Sequence, residues 1–233
     1  MNNLLFDKVF VINLISEVNR RKNMENSMKS LNIDFEFVEA VSYKDIDIPE
    51  LERNKEIAYK NNKFYCKKSC TCKGAGHSLR PTSIANLLSH SIAWDIAFRK
   101  NINILILEDD VKINKEYFKL LNEYQKDIPK NWDVIYFSKN GAQNYEKKFN
   151  RVTTGMSGSH MYAISSYAAG VALENLYPFR AHVDGYIDRF LIRKTNFFTV
   201  PKLKKCYITG DKFGINTSYD EDVKTTMIDL NVK

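Results

Sequence analysis

Three consecutive acids, Glu108-Asp109-Asp110, follow directly on the apolar run Asn103-Ile104-Leu105-Ile106-Leu107 and precede Val111. A short run rich in Ile and Leu reads as a buried strand. Carboxylates are costly to bury without partners, so acids at a strand's end either face solvent or bind a cation. Closely spaced Asp and Glu oxygens suit a hard divalent ion, Mn²⁺ or Mg²⁺, which bridges well to substrate phosphates. The plain alternative is a strand that ends in a solvated polar turn.

Other residues in the chain carry chemistry at suggestive spacings. Asp184 and Asp188 lie four apart, so both face the same way on a helix. In the structural reading Asp184 caps that helix and Asp188 pairs with Arg189 or Arg193. Cys66, Cys70 and Cys72, with His77 beyond, depart from the paired spacing of structural zinc sites. Free thiols are the first reading there, with a metal or disulfide clip second; Cys206 is far away and completes neither. His90 sits in an apolar helix, where a histidine is more often a hydrogen-bonded core residue than a ligand.

The elements that must position these residues follow from periodicity. Lys8 to Leu14 is a β-branched and aromatic strand, and Ser16 with Glu17 opens a helix whose stripe is Met24, Met28 and Leu31. Phe35 to Val41 is a second strand, and strand, helix and strand in this span form a βαβ unit of a parallel, Rossmann-like sheet. Residues 42–81 lose periodicity and read as a long connection with room for one short helix, of the kind that often serves as a lid or binding loop. Ile84 to Arg99 is apolar all round, which predicts a buried helix, and it feeds into the strand that bears the acids. Asn114 caps a further helix ending at Pro129. Strands follow at Asp133 to Ser138 and His160 to Ser165, then a helix with Ala169, Ala172, Leu173 and Leu176. A last strand spans Asn196 to Pro201, and the tail around 205–233 is polar enough to cover a site. In open α/β sheets ligands bind at the carboxyl ends of strands, which is where this order puts the acids.

Composition sets the outer bounds. A chain of 233 residues, 44% hydrophobic and 12% aromatic, is long enough for a sizeable core. No apolar run reaches membrane-spanning length. The first ten residues lack the basic start and cleavage site of a secretory signal, which with four cysteines predicts a cytoplasmic, reducing setting. A net charge of +7 favours anionic ligands, nucleotides among them. The lysines are scattered, however, and no motif for specific nucleic-acid readout is present.

Taken in order, Val11-Ile12-Asn13-Leu14 with Arg20-Arg21, Leu88-Ser89-His90 with Trp94, and Leu105 to Val111 resemble glycosyltransferase family 25. That family includes bacterial lipopolysaccharide galactosyltransferases and the collagen β-galactosyltransferases. Phe37 to Val41, Tyr162 to Ser165 and Val183-Asp184 extend the resemblance over most of residues 8–191. Two segments depart from the family pattern. Ile15-Ser16-Glu17 stands where an Asp-Arg-Arg run is usual, and Thr82-Ser83-Ile84-Ala85 where Gly-Glu-Ile-Gly is usual. The Asn, Lys and Ile usage would suit a member from a giant virus or an AT-rich bacterium, with host cytoplasm as the viral setting.

The resemblance implies a GT-A fold: a single Rossmann-like α/β domain over residues 1–233, with a mainly parallel sheet flanked by helices. It implies a UDP-sugar donor, with galactose or glucose as the hexose, and Mn²⁺ or Mg²⁺ held by an Asp-x-Asp-like motif. On that pattern Glu108 and Asp110, alternate residues pointing to one side, are the metal ligands. Asp109 then meets the ribose or the sugar. Asn13, Arg20 and Arg21 fall on the donor's base and phosphates, Ala40 and Val41 beside uracil and ribose, and Ser89 and His90 on the sugar side. Transfer is expected to invert, with Asp184 as the base and Asp188 in reserve. A lipopolysaccharide, a hydroxylysine of collagen-like chains and a free glycan are all compatible acceptors. Two other readings stay open: a metal-dependent nuclease or phosphotransferase, and a catalytically silent protein that binds nucleotide sugars.

Overall fold

The computed structural model describes residues 6–57, 81–111, 113, 119, 123–137, 148–153 and 158–200. Its centre is a seven-stranded sheet built from β1 (Lys8–Asn13), β2 (Glu36–Glu39), β3 (Ile104–Glu108), β4 (Val134–Tyr136), β5 (Asn150–Arg151), β6 (Met161–Ile164) and β7 (Phe197–Thr199). The spatial order is β2-β1-β3-β6-β4-β7-β5. Strands β1, β2, β3, β4 and β7 run one way, while β5 and β6 run against them. The α/β class and the predominance of one strand direction match the expectation. The reversal of β6, inserted between β3 and β4, was not foreseen.

Alternation along the central strands divides the core into two layers. Phe10, Ile12, Ile104, Ile106, Tyr136, Tyr162 and Ile164 face one layer. Their neighbours Val9, Val11, Leu105, Leu107, Ile135, Met161 and Ala163 face the other. Both faces are buried, which is why β1 and β3 read as continuous apolar runs. Helix α1 (Val18–Ser30) covers the second layer with Met24 and Met28. Helices α3 (Pro81–Lys100), α4 (Ser166–Glu174) and α5 (Val183–Tyr186) cover the first, and α5 runs on as a π-helical turn over Ile187–Leu191. After β2 come a 3₁₀ turn at Tyr43–Asp45 and a short helix α2 (Ile48–Arg53), inside the span read as a long connection with one short helix.

Helix α3 corrects one expectation. It is not buried all round: Leu87, His90, Trp94 and Ala97 are fully enclosed, whereas Ile92 and Phe98 are 38% and 53% exposed. One apolar stripe packs on the sheet and the other borders an open groove. Helices α1 and α3 stop at Asn32 and Asn101, whose φ values of 52° and 51° place them in the left-handed region that asparagine tolerates. Among the described residues no helix is long and apolar enough to cross a membrane. The four cysteines, the tail around 205–233 and most of the helix expected after Asn114 lie outside the described residues.

Candidate functional site

The carboxyl ends of β1, β2 and β3 converge with the start of β6, and the acids stand at this junction. Because β6 is antiparallel to β3, with Leu107 opposite Met161, the residue just before β6, His160, falls beside Glu108, which closes β3. The Glu108 amide donates to the His160 carbonyl at 2.9 Å and fixes that pairing. The His160 side chain then joins the acids. Glu108, Asp110 and His160 each offer a ligand atom, all within 4.8 Å of one another.

Glu108 is the best supported of the three acids. Its Oε1 accepts from Ser159 Oγ at 2.6 Å and from His90 Nε2 at 3.2 Å, and its Oε2 from His160 Nδ1 at 2.9 Å. Burial opposes ionisation, but His160 and His90 outweigh it and hold the carboxyl well below the usual carboxylate range. Asp110 is the opposite case. Burial, then the charges of Glu108 and Asp109, push it up to about 7. Its Oδ1 is buried with no hydrogen-bond donor, 4.0 Å from His160 Nδ1. Burial would depress His160, but Glu108, Asp110 and Asp184 raise it to about 9, so an imidazolium supplies the positive charge in this cluster.

An acceptor-only oxygen without a donor, among acids that share one histidine, is the arrangement a hard cation completes. The donor set of two carboxylates and an imidazole fits Mn²⁺ as well as or better than Mg²⁺, because imidazole is a poor Mg²⁺ ligand.

Asp109 points elsewhere. Its Oδ2 accepts from Asn13 Nδ2 at 2.8 Å and its Oδ1 from Arg20 Nη1 at 3.1 Å. Burial raises it, and those two donors offset part of the rise. Asn13 is 1% exposed at the end of β1, so β1, α1 and the acid turn are tied at one point. Arg20 therefore spends its charge on Asp109 and Glu17, and lines the cleft beside them. Arg21 is not brought to the cleft. Its guanidinium lies 3.8 Å over the Phe37 ring and pairs with Glu25 at 3.6 Å.

The cleft itself measures about 240 Å³ and is lined by the three acids, Arg20, Ala40, Val41 and Ser89. Glu17 and Thr82, from the two segments that depart from the family pattern, also line it with Tyr43 and Asn86; none of the four carried an expected site role. Ser89 joins its walls: its hydroxyl accepts from the Val41 amide at 2.9 Å and donates to the Ala85 carbonyl at 2.7 Å. A second groove of about 740 Å³ wraps the edge strand β2 and shares Leu14, Ala40 and Val41 with the first. His90, expected with Ser89 on the sugar side, is placed differently from it. It is fully buried behind Glu108 and does not line the cleft.

Asp184 does not cap α5. That role falls to His182, whose Nδ1 accepts from the Gly185 amide at 3.5 Å. Asp184 Oδ2 instead accepts from the Gly158 amide at 2.9 Å, two residues before His160. Its charge reaches the acid cluster through His160 and also Tyr136, whose buried hydroxyl burial, then Asp184, holds well above the usual range. Asp188 sits one turn on, in the π-helical segment, and acts on Tyr136 as well. π-Helical turns of this kind concentrate at functional sites.

His160 and Ser159 are the residues that sequence reasoning missed. The run from His160 to Ser165 was legible as a strand, but its direction, which alone carries His160 to Glu108, was not.

Known proteins share this chain's pattern. The sequence model of glycosyltransferase family 25 (LPS biosynthesis protein) matches residues 6–138. Mouse procollagen galactosyltransferase 2 is 26% identical over 217 residues, 88% of this chain and 33% of its own length. A putative glycosyltransferase of Haemophilus influenzae is 30% identical over 175 residues, 71% of this chain and 56% of its own. A mouse protein named inactive glycosyltransferase 25 family member 3 is 25% identical over 139 residues, 58% of this chain. The chain thus spans about a third of the length of the procollagen galactosyltransferase it matches.

Proposed function

The chain belongs to glycosyltransferase family 25, and from that membership we propose that it is a metal-dependent hexosyltransferase, moving galactose or glucose from a UDP-sugar to a hydroxyl acceptor with inversion. The observation that carries the reading is the group Glu108, Asp110 and His160 beside a cleft at the strand ends. A nucleotide diphosphate needs a cation and an enclosed wall for its base and ribose; Glu108, Asp110 and His160 are grouped as ligands for the first, and Ala40 and Val41 line the adjoining cleft that suits the second.

Glu108 and Asp110 would hold Mn²⁺ or Mg²⁺, with His160 as the third ligand. When bound, such an ion neutralises charge on the departing diphosphate and so improves it as a leaving group. Ala40, Val41 and Tyr43 form the apolar wall for uracil and ribose. Arg20 and Asn13 act through Asp109, keeping the acid turn in register with β1. Asp184, held by the Gly158 amide, is the base that takes the proton of the acceptor hydroxyl. Lipopolysaccharide, collagen-like hydroxylysine and free glycans remain the acceptor classes to test.

A catalytically silent, nucleotide-sugar-binding role is the second reading, favoured by the similarity to a relative named inactive. The nuclease or phosphotransferase reading is weaker, because among the described residues one group of acids and histidine, not two, gathers to metal-binding distance. The deciding assay follows UDP release from UDP-galactose and UDP-glucose with Mn²⁺, alone and with hydroxylysine peptides or oligosaccharides. Release stimulated by one acceptor supports transfer. Binding of UDP without release on any acceptor supports the silent role, and cleavage of nucleic acid would replace both.

A further inference from the structure

Behind Glu108, away from the cleft, the His90 contact is the last link of a hydrogen-bond sequence through three buried side chains. Trp94 Nε1 lies 2.9 Å from Tyr162 Oη, Tyr162 Oη 2.8 Å from His90 Nδ1, and His90 Nε2 3.2 Å from Glu108 Oε1. Trp94, Tyr162 and His90 are each 0% exposed. The imidazole and phenol rings stack at 5.7 Å with an interplanar angle of 15°, so neither is free to rotate out.

The chemistry of the donors gives this sequence one direction. An indole N–H only donates, so Tyr162 Oη accepts from Trp94. The single phenolic proton then goes to the other neighbour, His90 Nδ1, which must accept it. The remaining ring proton of His90 is therefore on Nε2, aimed at Glu108 Oε1. Ser159 Oγ donates to that same oxygen at 2.6 Å. Oε1 thus has two donors, while Oε2 has one, His160 Nδ1.

We propose that Trp94, Tyr162 and His90 are positioning residues for Glu108: the relay fixes the Nε2–H tautomer of His90, fills Oε1 and leaves Oε2 as the oxygen turned to a cation. The purpose assigned to the relay rests on the metal reading of the site; its existence does not. Without the phenolic proton His90 is free to carry its own on Nδ1. It would then set an Nε2 lone pair against the carboxylate, which repels Glu108 and releases its orientation. Groups that orient a ligand in this way ordinarily change metal affinity 10- to 100-fold.

Two measurements test the proposal. Histidine-selective ¹⁵N NMR on the wild-type metal-free protein reads the tautomer directly and needs no variant. Nε2–H at His90 is expected, and Nδ1–H would overturn the relay. Calorimetric titration of Mn²⁺ then compares His90→Gln, which keeps an N–H for Glu108 and an oxygen for Tyr162, with His90→Leu, which keeps neither, and with Tyr162→Phe. His90→Gln should stay within a few-fold of wild type, while His90→Leu and Tyr162→Phe weaken binding about 10- to 100-fold. Equal affinity in all three would overturn the positioning role. If the wild type shows the Nε2–H tautomer yet binds no Mn²⁺, the metal reading falls and the positioning role falls with it, though the relay stands as structure.

Discussion

Replacing Asp110 by Asn should make the metal-free protein more stable at neutral and alkaline pH while removing its response to a divalent cation. Burial, followed by Glu108 and Asp109, lifts this carboxyl from its ordinary 3.8 to about 7. A carboxyl whose folded value lies above its unfolded one weakens the fold as pH rises. The loss is small below about 3.8, grows between there and about 7, and is complete above. That interval corresponds to about 4 kcal/mol, and because solvent reaches the open side of the cluster we expect roughly 2 to 4. The Asp110→Asn variant keeps the shape and removes the charge. Urea denaturation in EDTA near pH 8 should therefore find it more stable than wild type by that amount, with the difference shrinking to well under 1 kcal/mol near pH 4. Added Mn²⁺ should stabilise the wild type and leave the variant unmoved. A variant less stable than wild type near pH 8 without metal would mean that the protein itself satisfies this carboxylate, and the reasoning from strain to cation site would fail.

Further outcomes follow from the same geometry. Mn²⁺ affinity should rise steadily between about pH 6 and pH 9, because His160, held up to about 9, and Asp110, at about 7, must give up protons to act as ligands; a flat calorimetric profile would remove His160 from the site. Arg20→Ala deprives Asp109 of its guanidinium at 3.1 Å and leaves Asn13 as its remaining side-chain donor, for a loss of about 1 to 3 kcal/mol in denaturation. No loss would show that the acid turn is not anchored through Asp109. Asp184→Asn should lower transfer about 100-fold or more while UDP affinity holds, since an amide oxygen still accepts from Gly158; a parallel loss of UDP binding would make Asp184 a binding residue instead of the base.

The parts of the fold that were legible in the sequence are those set by local pattern. The dense β-branched and aromatic residues of Lys8 to Leu14 and the unbroken Ile and Leu run before Glu108 gave strands, and the helical spacing of Met24 and Met28 gave α1. What was not legible depends on strand direction and on partners distant in sequence. Nothing within His160 to Ser165 tells whether that strand runs with β3 or against it, yet the answer decides whether His160 meets Glu108 or lies at the far end of the sheet. The acids were legible as a group, but their separate roles come from tertiary partners. Asn13 and Arg20 claim Asp109, Ser159 and the two histidines claim Glu108, and Asp110 Oδ1 receives no hydrogen bond. Exposure of Ile92 likewise depends on β2 being the sheet's edge, which helix periodicity cannot reveal.

The most direct test is calorimetric titration of UDP into the protein with EDTA and with Mn²⁺. Binding that Mn²⁺ strengthens at least about tenfold in the wild type and not in Asp110→Ala is the predicted result. Absence of UDP binding under both conditions, or equal strengthening in the variant, would contradict a cation-assisted donor site at Glu108, Asp110 and His160.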